Sequence, residues 1–420
     1  MLSGVLINVW TKLRKFSLDH DDLPTMIENV ALLLRILTIN IYNSSESIHL
    51  IFYIMTLLSS AVYLYVDIVS MVYCVFFRYG KSDLIAVSVI LALSSCSCTC
   101  ITKLIFMKVY AKDIKKIVND FLKCDSQVLS NTRFAKNLRK QLKIVKRRAS
   151  VIWILLVSNG AVYIISPFVT PGRHFSVDLY LLYGLEPMNK TPNYEIANFI
   201  ITVGTGFGVY AMVSVAVYVI VIVGYNESQL HALSEELKNV WYDSEIFYNN
   251  IKHRITEKRH DVNIRKQIMN EFIRIRLRDI IKFHITNINM QHYFDQKFRP
   301  MFAVEYTIKA FSIIVGLLGG LKNTYLALPY TFVQIVMDCL TGQRLIDACE
   351  NFERSLYSCQ WENFNTSNQR TILLMLMMSQ KTLILSAGGI AKLNFNYMMI
   401  ILKSAYSTYT TLNSVVKKHN

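Results

Sequence analysis

One lysine stands in a long run otherwise made of apolar and hydroxyl side chains, and it is the residue with most chemistry to offer. Lys403 lies in Leu393–Val416, LNFNYMMIILKSAYSTYTTLNSVV. On a wheel of about 100° per residue with Asn396 at zero, Lys392, Lys403, Ser407, Thr410, Thr411 and Ser414 fall within about 60° of it. Met398, Ile401, Ala405, Tyr409, Leu412 and Val416 take the opposite face. A bilayer-crossing helix needs about 20 residues, and this run supplies them. Hydrocarbon cannot solvate a polar stripe, so the stripe must meet protein or water. Packing against other helices is one solution. A water-filled pore built by several copies of this helix is the other, and it suits an ammonium that lacks an acidic partner.

The remaining reactive side chains are few. Asp67 is a carboxylate inside an apolar run, and Glu305 and Asp338 fall near run ends, where water should reach them. His284 has no second ligand at i+4 and reads as a structural hydrogen-bonding group. Cys96, Cys98 and Cys100 cannot all converge on a helix, so they read as small buried residues, not a metal site. None of the eight cysteines falls in the largest predicted outer loop, so no disulfide framework is expected. HExxH, GxSxG and phosphate-loop spacings are absent. No enzyme activity, cofactor or metal is expected.

The elements that position these groups follow from hydropathy. Of 420 residues, 53% are hydrophobic and 18% charged, and mean hydropathy is positive, the composition of a polytopic membrane protein. The net charge of +16 sits in loops between apolar runs, which reads as topology and excludes a nucleic-acid surface. Met1–Asp22 lacks the pattern of a cleavable signal. An amphipathic helix is expected over Thr25–Tyr42, at the inner membrane interface, with Ile27, Val30, Leu33, Leu34 and Leu37 on its apolar side. Spans follow at about 49–73, 83–107, 150–169, 196–223, 301–320 and 324–341, the last with a kink expected at Pro329. Residues 371–390 carry Gln380 and Lys381 in their middle, and Gly388-Gly389 separates them from the final run. They read as the first half of an interrupted seventh element; an eight-span arrangement is the rival.

Basic residues set the orientation. The 108–149 and 226–300 loops hold 13 Lys and Arg each, against two, two and one in the loops after spans one, three and five. The rich loops should be cytoplasmic. That puts the N-terminus inside and, with seven spans, the C-terminus outside, the reverse of a G-protein-coupled receptor. Gln229–Trp241 and Asn263–Tyr293 carry helical apolar spacing and should extend spans four and five into a cytoplasmic anchor bundle. The expected fold is thus an all-α membrane protein of seven transmembrane helices. Its parts are a cytoplasmic segment 1–48, spans one to four over 49–225 with outer loop 170–194, an anchor at 226–300, spans five and six over 301–341, an anchor with half of helix seven over 342–390, and a pore-lining half at 391–420. Of the sequons Asn43, Asn189, Asn226 and Asn365, only Asn189 falls outside and should be glycosylated.

Over about 280–412 the residues resemble the insect odorant receptor family. The resemblance rests on His284 in IKFHITNI, CLTGQ with Cys339, Gly342 and Gln343, and YSCQW with Tyr357 and Trp361. It continues through Ser379-Gln380-Lys381, Ala387-Gly388-Gly389 and Leu402–Ser407 (LKSAYS). Thr382 stands where the family often has proline. Thr408-Tyr409 followed by Asn413-Ser414 departs from the gustatory pattern, and the chain is shorter than the shared co-receptor. The resemblance implies an odorant-tuned subunit that joins co-receptor subunits in a tetrameric, ligand-gated, non-selective cation channel. Its place would be the plasma membrane of olfactory sensory neurons, surrounded by membrane lipids. The last helix would line the pore, with gate positions at Thr411 and Val415, and ligand would favour a dilated state. His284, Tyr357 and Trp361 would belong to the subunit anchor, with Trp361 a packing residue of the bundle. The family's site for a small volatile ligand lies between spans two, three, four and six. That points to Val87, Ile90, Leu91, Ser158, Ala161, Val162, Ile165, Val203, Phe207, Tyr325 and Tyr330. A homomeric gustatory-type channel and a pore-less receptor or transporter are the alternatives.

Overall fold

Every residue from Ala211 to Leu230 is buried, and this run is the axis about which the molecule is assembled. As far as Tyr225 its sequence is apolar on every face but for Ser214, as a helix enclosed on every side tends to be, and the buried polar Asn226–Gln229 follow. The computed structural model describes residues 21–42, 48–80, 83–252 and 262–419; the signal-peptide reading of the first residues and the sequon at Asn43 fall outside them. In chain order the helices are α1 (Leu23–Ile36), α2 (Leu50–Tyr79), α3 (Leu84–Val109), α4 (Ala111–Ser126) and α5 (Arg133–Val169). There follow α6 (Asn193–Ile251), α7 (Val262–Leu318), α8 (Ala327–Tyr357), α9 (Thr366–Ser379) and α10 (Phe395–His419). The helices α2, α3, α5, α6 and α7 are long and apolar enough to cross a membrane. α8 and α10 have the length but carry more polar residues; α2, α3, α5, α7 and α8 pack around α6, and α10 packs on α7 and α8.

Helices α5, α6 and α7 run well past their apolar parts, to 37, 59 and 57 residues. The segments that helical spacing picked out at Gln229–Trp241 and Asn263–Tyr293 are continuous with α6 and α7. At this basic end Arg133 forks between Glu236 (2.9 Å) and Asp243 (2.6 Å), Arg276 also pairs with Glu236, and Arg148 pairs with Glu227 at 2.5 Å. The helix α4, hidden in a basic loop, packs its stripe of Ile114, Ile117, Val118 and Phe121 inward.

Three expectations need correction. α1 ends at Ile36, six residues early, because Thr38 turns to positive φ. Its Ile27, Val30 and Leu34 pack on protein, not on lipid. Asp22 caps it, accepting from the Thr25 amide at 3.0 Å. Pro329 lies in the first turn of α8, where proline is tolerated, and no kink arises from it. α9 has 14 residues, a rise of about 21 Å, short of a hydrocarbon core of about 30 Å. That removes the eight-span arrangement.

Between α9 and α10 the chain makes a small hairpin, Ser386–Ala387 against Ala391–Lys392, turned by Gly388 and Gly389 at positive φ. Asp295 of α7 holds it, accepting from the Ser386 amide at 2.6 Å and hydroxyl at 2.9 Å. The break in the seventh element is therefore a clamped turn.

Candidate functional site

Beside the upper part of α6 lies a cavity of about 100 Å³. α2 supplies Tyr63, Val66 and Asp67; α3 supplies Leu93, Cys96, Thr99 and Cys100. Asn159, Gly160 and Tyr163 come from α5, Thr205, Val209 and Met212 from α6, and Ala327 and Tyr330 from α8. The loop after α5 closes it with Phe175, Val177 and Tyr180.

Small residues let these walls approach. A Cβ at Gly160 would meet Val209 at 2.8 Å, and one at Gly208 would meet Tyr63 at 2.8 Å. Asp67 sits in a π-helical turn, Tyr65–Val69, which rotates it into the cavity, where the Ser97 side chain is its partner. The Tyr63 hydroxyl donates to the Ser97 carbonyl, and the Tyr180 hydroxyl donates to the Val66 carbonyl at 2.6 Å. Those phenols are used up in holding the walls. The hydroxyls of Tyr163 and Tyr330 have no hydrogen-bond partner among the described residues and remain for a ligand. The chemistry is dispersion over an apolar lining with one or two directed hydrogen bonds.

Of the eleven ligand positions expected from sequence, Tyr330 lines this cavity and the others do not. Val162 and Ile165 are 52% and 54% exposed, and Ser158 shares their outward face with half-buried Ala161. The α5 residues that do line the cavity are roughly half a turn away. On α6, Val203 and Phe207 are rotated off it in the same way, and Phe207 packs edge-on against Tyr63. Val87, Ile90 and Leu91 sit above it on α3, with Ile90 in the cluster under the loop, and Tyr325 is exposed. Both faces of these helices are apolar, so hydropathy cannot tell lipid side from cavity side. Sequence reasoning also missed α2 and the loop; the lone carboxylate Asp67 was the available signal.

On α10, Asn396, Lys403, Ser407, Thr410, Thr411 and Ser414 are all exposed, and Ile401 and Ala405 are buried against the protomer. The polar stripe is therefore not packed within the chain. The Val415 side chain lies outside the described residues.

Glu305, Asp338 and the side-chain role of His284 differ from expectation. Glu305 and Asp338 are dry: with Lys103 and Lys309 they form a quartet in which every side chain is at most 1% exposed. Lys103 and Lys309 approach Glu305 at 3.0 and 2.6 Å, and Lys309 approaches Asp338 at 2.8 Å. Lys309 follows Glu305 by one helical turn, but Lys103 and Asp338 join them only through the packing of α3 and α8 on α7, which is why the sequence showed lone acids. His284 is buried against Phe352, the ring centres 4.4 Å apart, and makes no side-chain hydrogen bond among the described residues. Burial pushes its pKa down to about 4. Trp361 is 37% exposed and Tyr357 71%; the indole packed inside the basic end is Trp241, stacked on Phe364. Among the described residues no cluster could hold a metal ion, and all eight cysteines are free.

Comparison with known proteins places this architecture. Two Drosophila melanogaster proteins, odorant receptor 19a and putative odorant receptor 19b, are each 27% identical to the chain over 103 residues. That stretch is 24% of this chain and spans about a quarter of each relative. The insect olfactory receptor OR5 from Machilis hrabei, alone, superposes with a TM-score of 0.73 at 12% identity, over 93% of this chain and 97% of that one. In its complex with eugenol the values are 0.71 and 13%, over 94% and 98%. The all-α, seven-helix membrane fold is shared. A sequence model of the 7tm odorant receptor family matches residues 83–406, about three-quarters of the chain, which therefore belongs to that family of multi-pass membrane receptors.

Proposed function

We propose that this chain is the odorant-tuned subunit of a heteromeric, ligand-gated, non-selective cation channel. One observation carries the reading. The same protomer holds a largely apolar cavity with two uncommitted phenols and, on α10, a polar stripe left open for an aqueous conduit. Several copies of α10 around one axis would give Lys403, Ser407, Thr410, Thr411 and Ser414 the water they need. Co-receptor subunits complete the ring, and the exposed Tyr357 and Trp361 offer them contact surface at the basic end.

The basic end is cytoplasmic on this reading, α10 ends outside, and the loop carrying exposed Asn189 faces the medium. The membrane is that of an olfactory sensory neuron. The ligand is a small volatile. A cavity of roughly 150 Å³ holds benzene, so about 100 Å³ suits a molecule of one ring or less with a single hydroxyl, ester or carbonyl group.

The test is a panel of such volatiles on cells expressing the chain with and without the co-receptor. Ligand-evoked cation current only in coexpressing cells is the expected result. Current from the chain alone would indicate a homomeric channel, and none in either case would leave a receptor or transporter without a pore.

A further inference from the structure

We propose that the buried quartet Lys103, Glu305, Lys309 and Asp338 couples the cavity to the pore helix. The proposal rests on the channel reading above. Its basis is where the four charges lie. Lys103 is one helical turn from the cavity-lining Thr99 and Cys100 on α3. Asp338 is two turns from the cavity-lining Tyr330 on α8. Glu305 and Lys309 on α7 join the two. From α7 the contact passes to α10: Lys309 Nζ lies 5.0 Å from the Tyr306 ring centre, and that ring is 5.4 Å from the ring of Tyr397. The Tyr306 hydroxyl also meets Cys339 Sγ, next to Asp338, at 3.3 Å.

Two lysines and two carboxylates cancel in charge, so the quartet is sound only while all four keep their partners. Buried ion pairs contribute little net stability compared with apolar packing, but separating one is costly. Displacing α3 or α8 therefore forces α7 to follow. A second arrangement is also prepared. Gln334 lies between Tyr330 and Asp338 on α8, is fully buried, and neither end of its amide finds a partner among the described residues. It holds a donor and an acceptor that a shifted α8 could engage, which supplies the discrete alternative that coupling requires. Ligand pressing on Tyr330 and Cys96 would select between the two.

The experiment expresses the full chain with the co-receptor and replaces all four charges by apolar residues of similar size: Lys103→Met, Glu305→Leu, Lys309→Met and Asp338→Leu. Surface amount is read by biotinylation, binding by the ligand-induced thermal shift of the purified complex, and gating by current. Surface amount and binding within about twofold of wild type, with ligand-evoked current down at least tenfold, is the expected result. A quadruple variant that gates like wild type overturns the proposal. Absence of current in the wild type would instead strike at the channel reading itself. Should the quadruple variant fail to reach the surface, Tyr306→Phe and Gln334→Leu decide the matter. Each should shift half-maximal concentration at least threefold with binding unchanged, and normal gating in both refutes the coupling.

Discussion

A Cβ built on Gly342 would lie 2.0 Å from the carbonyl oxygen of Leu393. The inner half of α8 thus touches the backbone of the turn that launches α10, and Gln343 beside it accepts from the Phe395 amide at 3.4 Å. Backbone cannot swing aside as a side chain can. Gly342→Ala should displace α10 or unfold its base, at a cost of about 1–3 kcal/mol or more. Surface biotinylation and current in coexpressing cells check this, and both should fall severalfold. Wild-type values for both would mean the contact is not rigid.

Removing the free phenols tests the cavity. Tyr163→Phe or Tyr330→Phe should weaken the response to a ligand bearing a hydrogen-bonding group by about 1 kcal/mol, roughly fivefold in half-maximal concentration. The matching hydrocarbon should be unaffected. Thr205→Leu should reduce both responses by filling the space. Dose–response curves for the paired ligands are the measurement.

Charge and bulk on the exposed stripe of α10 should alter permeation and leave binding alone. Lys403→Glu should raise cation conductance, and Thr411→Trp should lower it severalfold. Single-channel recording reads both effects; unchanged conductance in the two variants would place the conduit elsewhere.

Acid should destabilise the protein through His284. Its folded pKa is held at about 4 by burial, below the unfolded value of about 6.5. The unfolded chain therefore binds more protons between those values, and stability falls as pH drops through that window, by about 2 kcal/mol at pH 5. His231, lowered by burial as well, adds to the same trend. His284→Phe keeps the stack on Phe352 and should flatten the dependence of melting temperature on pH. Equal slopes in variant and wild type would clear His284 of the effect.

Glycan mapping addresses orientation. Asn189 is exposed on the loop that closes the cavity, Asn226 is fully buried, and Asn365 caps α9 at the opposite end. Glycosidase treatment should shift the wild-type band and leave Asn189→Gln unchanged. A glycan on Asn365 would invert the arrangement.

The sequence made the helices legible because apolar runs of spanning length have few other uses, and it made the break in the last element legible because two adjacent glycines permit the positive φ of the hairpin. The polar face of α10 could be read because hydroxyls stand out against apolar neighbours. The cavity could not. Val162 and Tyr163 are both compatible with lipid, and only the fold, which brings Tyr163 to the same cavity as Val209 and Ala327, decides which turns inward. The quartet was hidden for a related reason: Lys103 and Glu305 lie far apart in the chain, and a charge near a span end looks solvated until its partner is seen.

The unbroken length of α6 has its own consequence. At about 1.5 Å per residue its 59 residues reach roughly 90 Å. Thr205 and Met212 near one end line the cavity, and Glu227 and Glu236 further along are clamped by arginines of α5 and α7. No break interrupts this helix, so a tilt of a few degrees at the cavity end would sweep its far tip through several ångströms.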